Sequence, residues 1–111
     1  MTKSILAVTL LLGSTLMSGH ALAGDAIAGK EKAVTCAACH GGEGVSSDVN
    51  NPILAGQYAS YIEQALKSYR DGSRQNAIMA GFASQLSDDD IADLAAYFSS
   101  LAGPLQTTPI P

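Results

Sequence analysis

The residues best suited to chemistry in this 111-residue sequence lie in one short run, Cys36-Ala37-Ala38-Cys39-His40. On a helix, positions 36 and 39 are about one turn apart, so both thiols point to the same side and the imidazole follows directly behind them. Thiols and imidazoles bind metals, form disulfides, act as redox pairs or attach a cofactor covalently. The rest of the sequence decides among these uses.

Three of the four uses fit the sequence poorly. A disulfide between Cys36 and Cys39 closes a very small loop and so stabilises little. A thioredoxin-like dithiol belongs to an alternating strand–helix fold, and no strand-like alternation is present. A structural zinc ion needs four ligands, and no second Cys/His pair exists. The C-x-x-C-H spacing is typical of c-type haem attachment, in which the two cysteines bond one porphyrin and His40 reaches its iron.

An export signal precedes this run. Lys3 gives a positively charged start, the run from Ile5 to Leu12 is apolar or small, and Ala21-Leu22-Ala23 has the small-x-small pattern of a cleavage site. We therefore expect residues 1–23 to be removed and the mature chain to be periplasmic. An uncleaved membrane anchor is the alternative, but the apolar run is shorter than the roughly 20 residues that a bilayer span needs.

Removal of the signal leaves one histidine and one methionine, His40 and Met79. A haem iron in this setting takes a further ligand, commonly Met or His. Met79 lies 39 positions after His40, in the irregular stretch between the second and third predicted helices, so the chain can pass around the haem to its opposite face. A lone methionine is more often a core filler. The C-x-x-C-H run favours ligation here, and we expect His40 and Met79 to coordinate the iron.

Three predicted helices position these residues, and the absence of strand-like alternation indicates an all-α domain. They run from Asp25 to the Cys36–Cys39 region, from Tyr58 to Tyr69 or Arg70, and from the N-cap Ser87 to Leu101. Asp25 is a suitable N-cap, Gly72 suits a left-handed C-cap, and Ser87 and Asp90 have capping-box spacing. Residues 41–57 and 73–86 are predicted as irregular connections, the second with room for a short helical turn.

The composition of the mature chain limits the size of its apolar core and the classes of partner that it can bind. The predicted domain spans residues 24–103, and the uncharged tail 104–111 is expected to be loosely held. A mature chain of 88 residues without tryptophan is short of apolar volume, which a haem would supply. Five cations against ten carboxylates give this chain a net charge of −5. That balance argues against nucleic acid, which needs a basic face, and suits docking on a basic or mixed protein surface.

Over nearly all of residues 25–102 the sequence resembles the class I c-type cytochromes, in particular the small bacterial monohaem kind. The likeness begins with a helix that runs into Cys36–Gly41. The other matching segments are Asn51-Pro52-Ile53-Leu54-Ala55-Gly56, Tyr69-Arg70-Asp71-Gly72, Met79, Leu86-Ser87-Asp88-Asp89-Asp90-Ile91 and Ala96-Tyr97-Phe98. The resemblance implies the class I cytochrome c fold, with three main helices around one covalently bound haem c. It also implies thioethers at Cys36 and Cys39, a proximal His40 and a distal Met79.

The resemblance implies several supporting roles. The carbonyl of Pro52 would accept the proton on the other nitrogen of the ligating histidine, which fixes the ring and strengthens its donation to iron. Leu54 and Phe82 would form haem walls. Gly29 and Tyr97 would meet where the first and last helices cross. The lysine-rich face of mitochondrial relatives has no counterpart here, so partners do not follow from them.

The sequence predicts a single-electron carrier and not an enzyme, because both axial positions are filled. It therefore predicts transient redox partner proteins and no small-molecule substrate; a membrane-bound or multi-subunit partner is left open. The alternative is a haem c electron-transfer subunit of a larger periplasmic oxidoreductase complex, marked by an apolar patch at the haem edge. A peroxidase or ligand sensor would need an open iron site and an acid–base group, and no second histidine supplies one.

Overall fold

A computed structural model describes residues 23–105, and this part of the chain folds into five α-helices with no β-strand. The helices are α1 (Ala26–Lys32), α2 (Val34–His40), α3 (Ala59–Asp71), α4 (Ala77–Ala83) and α5 (Asp88–Ser100). The all-α prediction is therefore confirmed. The predicted export signal 1–23 and tail 104–111 fall almost entirely outside the described residues and stay predictions. Within residues 23–105 no helix combines the length and apolar character needed to cross a bilayer.

The single N-terminal helix predicted from Asp25 is two consecutive helices. Asp25 is the N-cap as predicted, because its carboxylate accepts the backbone N–H groups of Ile27 at 2.8 Å and Ala28 at 3.3 Å. Ala33 separates α1 from α2, and the N–H of Cys36 bonds its carbonyl at 2.9 Å across only three residues. This tighter turn redirects the chain just before the cysteines.

Helix α4 corrects the prediction for the connection between α3 and α5. The short helical turn expected there is a seven-residue helix. The side-chain oxygen of Asn76 caps it by accepting the N–H groups of Ile78 at 3.1 Å and Met79 at 3.0 Å. The placement of Met79 in irregular structure was therefore wrong, since Met79 lies in the first turn of a capped helix.

Helix α5 forms the centre of the fold. Its capping box is confirmed, with Ser87 Oγ accepting from the Asp90 N–H at 3.1 Å and Asp90 Oδ2 accepting from the Ser87 N–H at 2.9 Å. It packs against α1 and α3. Its buried residues are Ile91, Leu94, Ala95, Tyr97 and Phe98.

Charged side chains tie α1 to α5. Lys32 Nζ lies 2.5 Å from Asp93 Oδ2 and 3.2 Å from Asp90 Oδ1, and the backbone N–H of Asp25 donates to Asp93 Oδ1 at 2.7 Å. The hydrogen bond from Lys32 holds the pKa of Asp93 below its ordinary value, and the same contact raises the pKa of Lys32. Because these groups are solvent-accessible, their main effect is to fix the register of the two helices.

The crossing of α1 and α5 depends on Gly29. A Cβ atom at this position would lie 2.0 Å from the carbonyl oxygen of Asp93 and 2.8 Å from Cβ of Tyr97. The contact between Gly29 and Tyr97 implied by the resemblance is therefore present. It brings the two helix backbones closer than any side chain would allow.

We expect Gly29→Ala to destabilise the protein although alanine favours helix by about 1 kcal/mol. The added methyl group forces the helices apart, and overpacking of this kind costs about 1–3 kcal/mol. The matched control is Gly81→Ala in α4, where an added Cβ meets nothing within 4 Å. Chemical denaturation should show Gly29→Ala losing stability while Gly81→Ala keeps or gains it. Equal stability of the two variants would contradict the close-packing role of Gly29.

Candidate haem site

A cavity of about 450 Å³ lies between the helices, and the four residues predicted to hold the haem all line it. Cys36, Cys39 and His40 reach it from α2, and Met79 reaches it from α4. Its volume is in the range of small-molecule and cofactor sites, roughly 300–1,000 Å³. Apolar side chains make up much of its wall, including Leu54, Ile62, Leu66, Phe82, Leu94 and Phe98.

His40 is oriented by the loop that follows it. Its side chain is buried, and Nδ1 lies 2.8 Å from the carbonyl oxygen of Pro52. Because a carbonyl only accepts, Nδ1 carries the proton and donates, which leaves Nε2 with a free lone pair. The carbonyl of Gly44 accepts the N–H groups of Leu54 at 2.8 Å and Ala55 at 3.0 Å. That pairing fixes the loop just beyond Pro52, so the role implied for Pro52 has the required geometry.

Cys36 and Cys39 are both free thiols. Cys36 is half-buried beside the apolar core, while Cys39 is exposed at the rim of the cavity. Burial raises the pKa of the Cys36 thiol above its ordinary value. Both cysteines line the same cavity and lie on the same helix, as expected from a spacing of three residues.

Helix α4 presents Met79 to the cavity together with Ile78 and Phe82. Met79 is half-buried, whereas Ile78 and Phe82 are exposed at 68% and 44%. Leu54 and Phe82, the two residues implied as haem walls, both line the cavity. The helix thus carries a thioether and an apolar surface to the same opening.

The residues around the cavity fit a c-type haem. They offer two free thiols on one helix, an imidazole with an available Nε2, a thioether and an apolar wall. The core beside them is small, because Ile91 and Leu94 are the largest side chains that are fully buried among residues 23–105. A large flat apolar group in the cavity would supply the buried surface that the chain lacks.

Sequence reasoning did not predict that Arg74 and two tyrosines form a cluster on the cavity wall. The guanidinium of Arg74 lies 4.8 Å above the ring centre of Tyr69, and its Nη1 donates to the Tyr61 hydroxyl at 3.3 Å. That hydrogen bond raises the pKa of Arg74 above its ordinary value. All three side chains line the cavity. In the sequence they are spread over residues 61–74 with no motif, so only the fold brings them together.

Comparison with known proteins identifies the family. A family model described as cytochrome c oxidase, cbb3-type, subunit III, matches residues 20–98. The chain is a class I c-type cytochrome. Cytochrome c-554(548) from Halomonas halodenitrificans is 52% identical to this cytochrome over 81 residues, which cover 70% of this chain and 98% of that protein.

Two solved structures show the same fold. Reduced recombinant cytochrome c4 from Pseudomonas stutzeri superposes with a TM-score of 0.71 at 42% identity, covering 75% of this chain and 48% of that chain. Thiosulfate dehydrogenase from Marichromatium purpuratum superposes with a TM-score of 0.68 at 33% identity, covering 79% of this chain and 22% of that chain. The cytochrome thus spans about half the length of the cytochrome c4 relatives that it matches.

The fold is that of class I cytochromes c, as predicted. Proteins of this family bind haem covalently and transfer electrons, and this cytochrome belongs among them. Both functions predicted from the sequence, a free carrier and an electron-transfer subunit, fit the relatives.

Proposed function

We propose that this cytochrome is a single-electron carrier with one haem c, held by thioethers to Cys36 and Cys39 and coordinated by His40 and Met79. The observation that carries the proposal is the convergence of these four side chains on one cavity. Beyond residue 23 the chain holds no other cysteine, histidine or methionine. Each of the four attachments therefore has one candidate residue.

When bound, the haem supplies an iron that gains or loses one electron. The His40 side chain donates from Nδ1 to Pro52 and offers Nε2 to the metal, with a ring plane fixed by that hydrogen bond. The Met79 thioether is neutral and, as a ligand, would favour the ferrous state and so raise the reduction potential. With His40 and Met79 both bound to the iron, no position would be left for a substrate, so we infer an electron carrier without catalytic activity of its own.

We further propose that the carrier is periplasmic and meets its redox partners transiently. The export signal predicted at residues 1–23 and the C-x-x-C-H run support the proposed location. The acidic balance of the chain, with ten carboxylates against six cations overall, supports partners with a basic or mixed docking face. Brief binding through an interface of modest area suits a protein that must bind an electron donor and an electron acceptor in turn.

The proposal is tested by purifying the exported holoprotein. We expect the intact mass to equal residues 24–111 plus one haem, and the haem to stay on the protein after extraction with acidified organic solvent. The oxidised protein should show the red charge-transfer band of iron–sulfur ligation. The iron of the reduced protein should not bind carbon monoxide. Extractable haem would exclude the thioethers, and a spectrum without that band would exclude Met79 as a ligand.

A second candidate is a haem subunit of a larger oxidoreductase. It is favoured by the likeness to a chain of thiosulfate dehydrogenase and by the apolar side chains of Ile78 and Phe82 at the cavity mouth. The two candidates share their chemistry at iron and differ in the permanence of the partner. Purification of the tagged cytochrome from its own cells decides between them, because a subunit brings a second chain in fixed proportion.

A further inference from the structure

The charged residues on the cavity wall are all positive. Lys32 and Arg74 line the cavity, and no aspartate or glutamate of residues 23–105 does so, although the chain carries ten carboxylates. Lys32 is already neutralised by its contacts with Asp90 and Asp93. Arg74 forms no ion pair with any carboxylate in the described part of the chain. The cavity therefore presents one uncompensated guanidinium.

The backbone and two tyrosines hold this guanidinium in place. The N–H of Arg74 donates to the carbonyl of Ser68 at 3.0 Å, which ties the loop back onto α3. The side chain then lies over the Tyr69 ring and donates to Tyr61 from Nη1. These contacts use one of its five N–H donors, and the flat face of the group is stacked. Arg74 is exposed at the edge of the cavity, so its remaining donors can bind an anion placed there.

The proposed haem brings such an anion. A haem carries two propionate carboxylates on the porphyrin edge opposite the two vinyl groups that cysteine thiols bond. A carboxylate placed in a cavity with apolar walls needs a charged or hydrogen-bonding partner. A guanidinium matches a carboxylate in shape, with two parallel N–H groups facing two oxygens.

We propose that Arg74 binds a haem propionate and that Tyr61 and Tyr69 position it to do so. The inference rests on the proposed haem binding and adds a residue to it. The Tyr61 hydroxyl accepts from Arg74, so its own hydrogen is left to donate to the same carboxylate. A fixed positive charge beside the haem also favours the less positive ferrous state, so Arg74 raises the reduction potential.

The test compares Arg74→Gln with Arg74→Lys and with Lys67→Gln in the purified holoprotein. Lys67 is the matched control, because its loss changes the net charge equally while the residue lies outside the cavity lining and pairs with Glu63 at 3.6 Å. We expect Arg74→Gln to lower the reduction potential by more than Lys67→Gln does. Arg74→Lys should keep most of the wild-type potential. The propionate bending band in resonance Raman spectra should shift in Arg74→Gln and stay in place in Lys67→Gln.

Two outcomes separate this inference from the proposed function. If the wild-type protein carries haem but Arg74→Gln and Lys67→Gln move the potential equally and leave the propionate band unchanged, Arg74 does not bind the propionate. If the wild-type protein carries no covalent haem, the proposed function itself fails. Tyr61→Phe adds an internal check, since it should move the propionate band in the same direction by a smaller amount.

Discussion

Met79→Ala is expected to lower the reduction potential of the holoprotein and to open its iron to external ligands. Met79 is the sole methionine beyond residue 23 and lies on the cavity wall, so nothing else in the chain replaces its thioether. Loss of this ligand removes its preference for ferrous iron. We expect a fall on the order of 0.1 V, within the roughly 0.8 V over which axial ligands set haem potentials.

Redox titration, the iron–sulfur charge-transfer band and carbon monoxide binding measure this change together. The matched control is Ile78→Ala, which trims the neighbouring residue of the same helix and the same cavity wall. The control should keep the band and resist carbon monoxide, with a potential close to wild type. A Met79→Ala protein with an unchanged band and potential would show that another group coordinates the iron.

Local spacing explains why so much of the site was predictable. The C-x-x-C-H run places Cys36, Cys39 and His40 through the geometry of a single helix, so no tertiary information is needed. The caps at Asp25 and Ser87 are likewise set by hydrogen bonds within three residues. The prediction of Met79 came from elimination, and it needed only the removal of the signal segment.

Features that depend on tertiary contacts were predicted less well. A seven-residue helix such as α4 is too short to be stable alone, so its sequence gives a weak signal and packing decides its existence. The family resemblance implied that Gly29 meets Tyr97, but only the close approach of Asp93 and Tyr97 in the fold shows that no side chain fits at position 29. The role of Pro52 came from the family resemblance, since twelve residues separate it from His40.

The two cysteines proposed to hold the haem should also decide whether the chain folds. Within residues 23–105 the buried apolar residues include four alanines, Ala33, Ala55, Ala83 and Ala95. A dry cavity of about 450 Å³ would cost on the order of 10 kcal/mol at roughly 24 cal/mol per Å³. That cost is comparable with the whole stability of a domain, about 5–15 kcal/mol. Water in the cavity instead leaves its apolar walls hydrated and forgoes the burial that a haem would provide, so we expect the fold to depend on the cofactor.

We therefore expect the double variant Cys36→Ala/Cys39→Ala to lose covalent haem and, once haem is extracted, to lose cooperative unfolding and most of its helical circular dichroism. The single variant Cys36→Ala is the control, because Cys39 still provides one thioether and keeps haem and fold together. The comparison removes only small side chains, so it isolates the cofactor from other packing changes. A haem-free double variant with native helicity and a sharp thermal transition would show that the protein core is sufficient, and the cavity would then need another explanation.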